Sequence, residues 1–339
     1  MFLKYRPVRV EDLEECSRCI PDGAAYDEVS RRQLILLWRE LLCSGAANAA
    51  VMEDQFAPRG KRIVWFCFKV FVSDAYALYL KTDAPPFIGA EILRNWKSGM
   101  SPLMTLPEIR RANSGPGVNI VVLNSGAPPR VMEGDNLTML ADRVIDFTWY
   151  FSSGYNCREL LEEFYDDFMC RWAENAGFGL RTDYSSYFER HPERRPIPGE
   201  HPRLYGISRY EADTRPGSLA SLIFRWNPPR FYFRPVEQAL LTEALLGETD
   251  EDLAESLGIA LVTVRKRWDN IYERVQDVAP EVFHTASSAG NRAGEKKRRL
   301  LSYLRQHVEE LRPLEPERAP SFERQSPAAP FAQVVSSQV

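Results

Sequence analysis

Between residues 261 and 275, Val264, Trp268, Ile271 and Val275 recur at helical spacing, leaving Val262, Thr263, Arg265, Lys266 and Asn270 on the sides and back of the same helix, with the basic triplet Arg265-Lys266-Arg267 near its start. A helix buried along such a stripe presents hydroxyl, guanidinium, ammonium and amide donors on its open faces. Those groups bond phosphate oxygens and base edges of double-stranded DNA. A second basic group follows. Lys296, Lys297, Arg298 and Arg299 open a helical pattern over 295–311, with Leu300, Leu301, Leu304 and Val308 on one stripe, and are candidate phosphate contacts. The other reading of that pattern is a helix packed on the preceding module or a solvated basic helix. From Gly290 to Arg305 there are six Lys or Arg against one acid, whereas residues 229–280 hold six basic and ten acidic groups. Charge therefore leaves DNA binding open.

Other chemistry is sparse. The six cysteines contain one close pair, Cys16-Ser17-Arg18-Cys19, and the four histidines lie far from it in sequence, so metal ligation is not expected. His191 and His201 sit in Pro- and Arg-rich sequence that reads as solvated loop, which leaves no Ser/His/Asp or Cys/His nucleophilic site. No catalytic residue is assigned.

The elements that hold the basic helix are legible. A first helix covers Val236–Leu246. A second begins at Thr249, where Asp252 completes a capping box, and stops at Leu257-Gly258-Ile259, where the glycine suits a left-handed helix end. The third is the basic helix from Leu261. Upstream, residues 1–228 read as α+β: a strand near 4–10, helices near 11–15 and 28–43, a hairpin of strands 49–53 and 62–72, and helices near 87–98 and 106–113. Val118–Leu123 is an apolar run between glycines and reads as a buried central strand. Helices are expected over 135–152 and 157–176, loop over 190–203, and a last strand over 218–226 before Asn227-Pro228-Pro229. The expected organisation is an α+β domain over 1–228, an all-α helix-turn-helix domain over 229–280, a linker and basic helix over 281–312, and a disordered tail over 313–339. A chain of 339 residues with 44% hydrophobic and 27% charged content has ordinary globular usage. Its longest apolar stretches, such as Ile63–Phe68, fall well short of a membrane span, and the first residues carry no secretory signal, so a cytoplasmic location is expected.

Phe233–Leu241, Asp252–Ile259 and Thr263–Tyr272 together resemble a LuxR-type helix-turn-helix, with similarity also to region four of sigma factors. The resemblance implies that Glu237 is a scaffold acid and that Thr263, Arg265, Lys266, Arg267 and Asn270 face DNA. Two positions depart from the pattern: Ala260 stands where a Ser or Thr cap is usual, and Trp268 replaces an aliphatic residue.

The order of elements in the large domain, with the opening Tyr5–Leu13, resembles a GNAT-type acetyltransferase fold with a mixed sheet. That family's Gln/Arg-x-x-Gly-x-Gly/Ala loop would cradle the pyrophosphate of acetyl-CoA. After Leu123 this chain instead reads Asn124-Ser125-Gly126-Ala127-Pro128-Pro129-Arg130, and proline offers no amide donor. The expectation is a non-enzymatic, sequence-specific transcriptional regulator without a cofactor, its large domain sensing a small-molecule effector or forming a homodimer. The alternative is an acyl-CoA-dependent N-acyltransferase fused to a DNA-binding module.

Overall fold

The computed structural model of the chain describes residues 2–58, 60–131, 135–195, 201–218, 220–283 and 292–315. Its centre is β3 (Ile63–Val72), nine Ile, Val, aromatic and Cys residues and one lysine, Lys69, all buried. A strand buried on both faces needs cover above and below. On one side β3 pairs antiparallel with β2 (Ala47–Asp54), which pairs antiparallel with β1 (Leu3–Pro7). On the other side lies β4 (Val118–Gly126), antiparallel to β3 and parallel to β5 (Cys157–Phe164). The sheet is completed by β6 (Gly179–Asp183) and β7 (Arg203–Ser208), in the order β1-β2-β3-β4-β5-β7-β6. This mixed sheet with helices matches the coarse architecture expected of the large domain.

One face is covered by α1 (Leu13–Arg18), α2 (Glu28–Ser44) and α4 (Ile88–Lys97), with α3 (Asp74–Thr82) beside β6 and α5 (Leu106–Asn113) at β4. The Trp38 ring of α2 stacks on Phe68 at 5.2 Å, so the even-numbered side chains of β3 near its middle face this layer. The opposite face is covered by α6 (Asp135–Ser152) and α7 (Asp167–Ala176). Short helices α8 (Ser185–Arg190) and α9 (Arg209–Thr214) flank β7.

Three sequence expectations are corrected here. The helix expected over 157–176 is β5 followed by α7, which Asp166 caps by accepting from the Met169 amide. The segment Cys157–Phe164 is rich in Leu and Glu, good helix formers, but pairing on both edges overrides that preference. The strand expected over 218–226 is a 3-10 turn, Ala220–Phe224, and the loop expected over 190–203 ends in β7 at Arg203.

A second core gathers α10 (Pro235–Ala244), α11 (Asp250–Ser256), α12 (Leu261–Val278) and α13 (Arg292–Gln306). Val264, Trp268, Ile271 and Val275 are buried in it, and so are Leu300, Leu301 and Leu304 of α13, which makes that helix part of the module. Residues 316–339 of the expected tail lie outside the described residues. Leu314 and its neighbours do not run free: the Pro313 carbonyl accepts from Asn113 Nδ2 and the Glu315 amide donates to Ser114 Oγ.

The two cores meet along a polar seam. Lys4 Nζ donates to the Leu246 carbonyl, Arg9 pairs with Glu243 and Glu248, and Arg312 donates to the carbonyls of Ser153 and Tyr150 at the end of α6. Glu310 is buried within the C-terminal module and accepts from the amides of Arg230 and Phe231 at 2.8 and 3.1 Å. Its loss strands two amide donors, that of Phe231 buried and that of Arg230 partly so. Glu310→Ala is therefore expected to lower unfolding free energy by about 2–5 kcal/mol in urea titration, and Glu310→Gln, which keeps one acceptor, by clearly less. Equal midpoints for Glu310→Ala and the parent chain would refute this account.

Candidate active site

The parallel ladder between β4 and β5 runs from Val118 opposite Cys157 to Val122 opposite Glu162 and then stops. Both strands continue, β4 paired with β3 through Gly126 and β5 paired with β7 through Phe164, so they part. The cause lies in β4. Phe68 faces Asn124 while the next residue, Lys69, faces Val122, which leaves Leu123 as an extra residue. Such a bulge bends the strand that carries it and increases its twist.

Below the parting lies a cleft of about 450 Å³, with Ile20, Pro21, Gly126, Glu163, Tyr165 and Asp166 among its walls. The connection from α1 to α2 comes so close that a Cβ on Gly126 would stand 2.2 Å from the Cys19 carbonyl oxygen, so only glycine fits there. Cys16 and Cys19, the CxxC pair, are buried free thiols, both pushed up by burial. No cluster of three His, Cys, Asp or Glu suited to a metal occurs among the described residues.

Adjacent glutamates at the parting point to opposite faces of the sheet. Glu163 faces α4, accepting from the amides of Phe87 and Ile88 at 2.8 and 3.1 Å. Phe87 holds a left-handed φ of 70° as the residue before α4, so the carboxylate both caps that helix and receives its positive dipole end. Burial nevertheless pushes the Glu163 carboxyl up to about 7, with the Phe87 and Ile88 amides and the neighbouring Tyr165 hydroxyl pulling the other way. Around it sit Tyr26, which accepts from Asn124 Nδ2 at 3.3 Å, and Tyr184, whose hydroxyl is buried without a partner, as is Asn124 Oδ1. A Cβ on Gly89 would lie 2.3 Å from the Tyr26 hydroxyl, which is how closely α4 presses on this polar cluster.

Glu162 faces the α6 side. It accepts from Ser125 Oγ at 2.7 Å and is pushed up to about 7 by burial. Lys69, on the same side, is buried, donates to Ser152 Oγ at 2.6 Å, and is held below its usual value by burial. The groove over Glu162 between α6 and α7 is closed by Ile223 of the 3-10 turn, leaving about 30 Å³. That space suits one water. In the turn after β4, Arg130 is spent on the carbonyls of Lys61 and Ile63, Pro128 and Pro129 offer no amide, and 132–134 lie outside the described residues. The described part of this turn is not a pyrophosphate cradle.

On the C-terminal module, Arg265 and Lys266 are exposed, while Thr263, Arg267 and Asn270 are half-buried, with Arg267 donating to the Val236 carbonyl. The four candidate phosphate contacts are engaged within the fold. Lys297 pairs with Asp250 at 2.8 Å and lies over the Trp268 ring, Arg298 and Arg299 pair with Glu295, and Lys296 lies over Phe283. Trp268, a departure in the sequence pattern, donates to that same Asp250. Glu237 is buried and accepts from the Arg234 amide at 2.7 Å. Ala260 precedes α12 without a side-chain cap.

No protein-family model and no curated protein matches the chain. Solved structures match its N-terminal part. A putative GNAT-family acetyltransferase from Desulfovibrio desulfuricans aligns at 14% identity over 61% of this chain and 98% of its own, TM-score 0.32. An agmatine N-acetyltransferase aligns at 13% over 61% and 100%, TM-score 0.32. A putative arylalkylamine N-acetyltransferase from the mosquito Aedes aegypti aligns at 11% over 61% and 87%, TM-score 0.36. These scores fix neither reaction nor substrate here. The expectation of a non-enzymatic, DNA-binding transcriptional regulator is corrected: the solved structures that match are acetyltransferases. No helix among the described residues is long and apolar enough to cross a membrane.

The glutamates at the parting were absent from the sequence reading because β5 was read as helix. Glu163 has its folded value raised from 4.5 to about 7, so the folded chain binds the extra proton and the stability this confers is lost as pH rises through that window. The unfolding free energy of Glu163→Gln is expected to fall less than that of the parent chain between about pH 5 and 7 in urea titration. Parallel pH profiles would contradict the assignment.

Proposed function

We propose that the N-terminal domain transfers an acyl group from a thioester, with acyl-CoA as the donor to test first, to a primary amine held in the cleft between β4 and β5. The observation that carries this reading is the parting of the parallel strands over a buried carboxylate. Glu163 at about 7 is divided between its two forms near neutral pH, which suits a general base. The amine nitrogen attacks the thioester carbonyl carbon, forming C–N and breaking C–S. The proton leaving nitrogen goes to Glu163 and is returned to the departing sulfur. That return is downhill, since a thiol ordinarily titrates near 8.5.

The sheet order and the matching acetyltransferases support the reading. The described turn after β4 supplies no pyrophosphate cradle, so the donor's nucleotide end is given no contact here. The test follows thiol release with acetyl-CoA, and separately with S-acetyl-N-acetylcysteamine, which lacks the nucleotide, against agmatine, spermidine and tyramine. Amine-dependent release is expected, with kcat of Glu163→Gln lowered by roughly a hundredfold or more at unchanged far-UV dichroism. No amine-dependent release with either donor, or full activity in the variant, would overturn the proposal.

A further inference from the structure

A second cavity, of about 510 Å³, lies at the seam between the two cores and takes no part in the site above. One wall comes from the sheet domain, with Tyr5 of β1, Leu42 of α2, and Tyr150 and Phe151 of α6; the other comes from Leu245 and Leu246 after α10 and from Arg305 of α13. Its size is that of a small-molecule pocket, and its walls are predominantly aromatic and aliphatic. The charges are one-sided. Arg305 and Arg312 line it, and no Asp or Glu does. Arg312 is committed, through Nε and Nη2 to the carbonyls of Ser153 and Tyr150 and across the Tyr155 ring at 4.8 Å. Arg305 is exposed and has no carboxylate partner among the described residues, and its charge acts on the Tyr150 hydroxyl. Every other arginine of the seam, Arg9 and Arg312, is matched to a carboxylate or carbonyl.

We infer that this cavity binds a small amphipathic anion, an aromatic or aliphatic body bearing one carboxylate or sulfonate, whose charge meets Arg305 and whose body lies between Tyr5, Tyr150 and Leu246. A guanidinium fork matches either acid group geometrically. Because both cores supply walls, such a ligand bridges them. The inference is independent of acyl transfer, which uses the other end of the sheet.

The probes are 1-anilinonaphthalene-8-sulfonate and N-phenyl-1-naphthylamine, the same aromatic body with and without the anion, titrated by fluorescence into the full chain. Saturable sulfonate binding is expected. Arg305→Glu, at an exposed position, is expected to weaken it about tenfold and to leave the neutral probe within about twofold. Leu246→Trp, which fills the cavity, is expected to weaken both, with far-UV dichroism reporting retained fold. No saturable sulfonate binding, indifference to both variants, or equal loss of the two probes in Arg305→Glu would overturn the inference.

Discussion

One extra residue in β4 governs the large domain. Leu123 is the position at which the register between β3 and β4 slips, and the ladder from β4 to β5 ends at the residue before it, Val122. Had the register held, the two parallel strands would run on in contact, and Glu163 and Asn124 would be interior side chains of a continuous sheet. The parting instead opens a cleft at the C-terminal end of a parallel pair, the place where open sheets ordinarily hold ligands. The buried carboxyls, the close approach of Cys19 to Gly126 and the pressing of α4 on Tyr26 all follow from where that gap falls.

The two glutamates there show how position divides the work of identical side chains. Glu162 is hydrogen-bonded by Ser125 in a groove that Ile223 closes. Glu163 caps a helix, yet borders a cleft open enough for a ligand. Both carry raised values for the same reason, burial, but only one lines the open cleft on the side of the polar cluster. The tyrosines and Asn124 around Glu163 include two buried polar atoms without partners, a concentration that packing alone does not call for.

The helical module was the legible part of the sequence. The capping box at Thr249, the glycine end near Gly258 and the stripe from Val264 to Val275 are local signals; α11 and the start of α12 fall where those signals put them, and α12 runs on three residues past Val275 to Val278. The basic run Lys296–Arg299 looks free in sequence; in the fold Lys297 pairs with Asp250 of α11, while Arg298 and Arg299 share Glu295 of their own helix. In the large domain, β3 and β4 were readable as apolar runs, whereas β5 was not. A central strand covered on both faces has no alternation, and Leu-Leu-Glu-Glu favours a helix until neighbours on both edges claim its amides. Since the candidate site sits on that strand, the site was lost with it.

The seam between the cores joins residues far apart in the chain. Lys4 meets Leu246, and Arg312 meets the end of α6. During synthesis, β1 can pair with β2 as soon as both are made, but Lys4 and Arg9 wait for α10 and the turn after it, and the carbonyls of Tyr150 and Ser153 wait for Arg312, beyond the last helix. The sheet domain thus spends most of its biosynthesis with Lys4, Arg9 and the carbonyls of Tyr150 and Ser153 facing solvent, and the cavity beside them comes into being only at the last step.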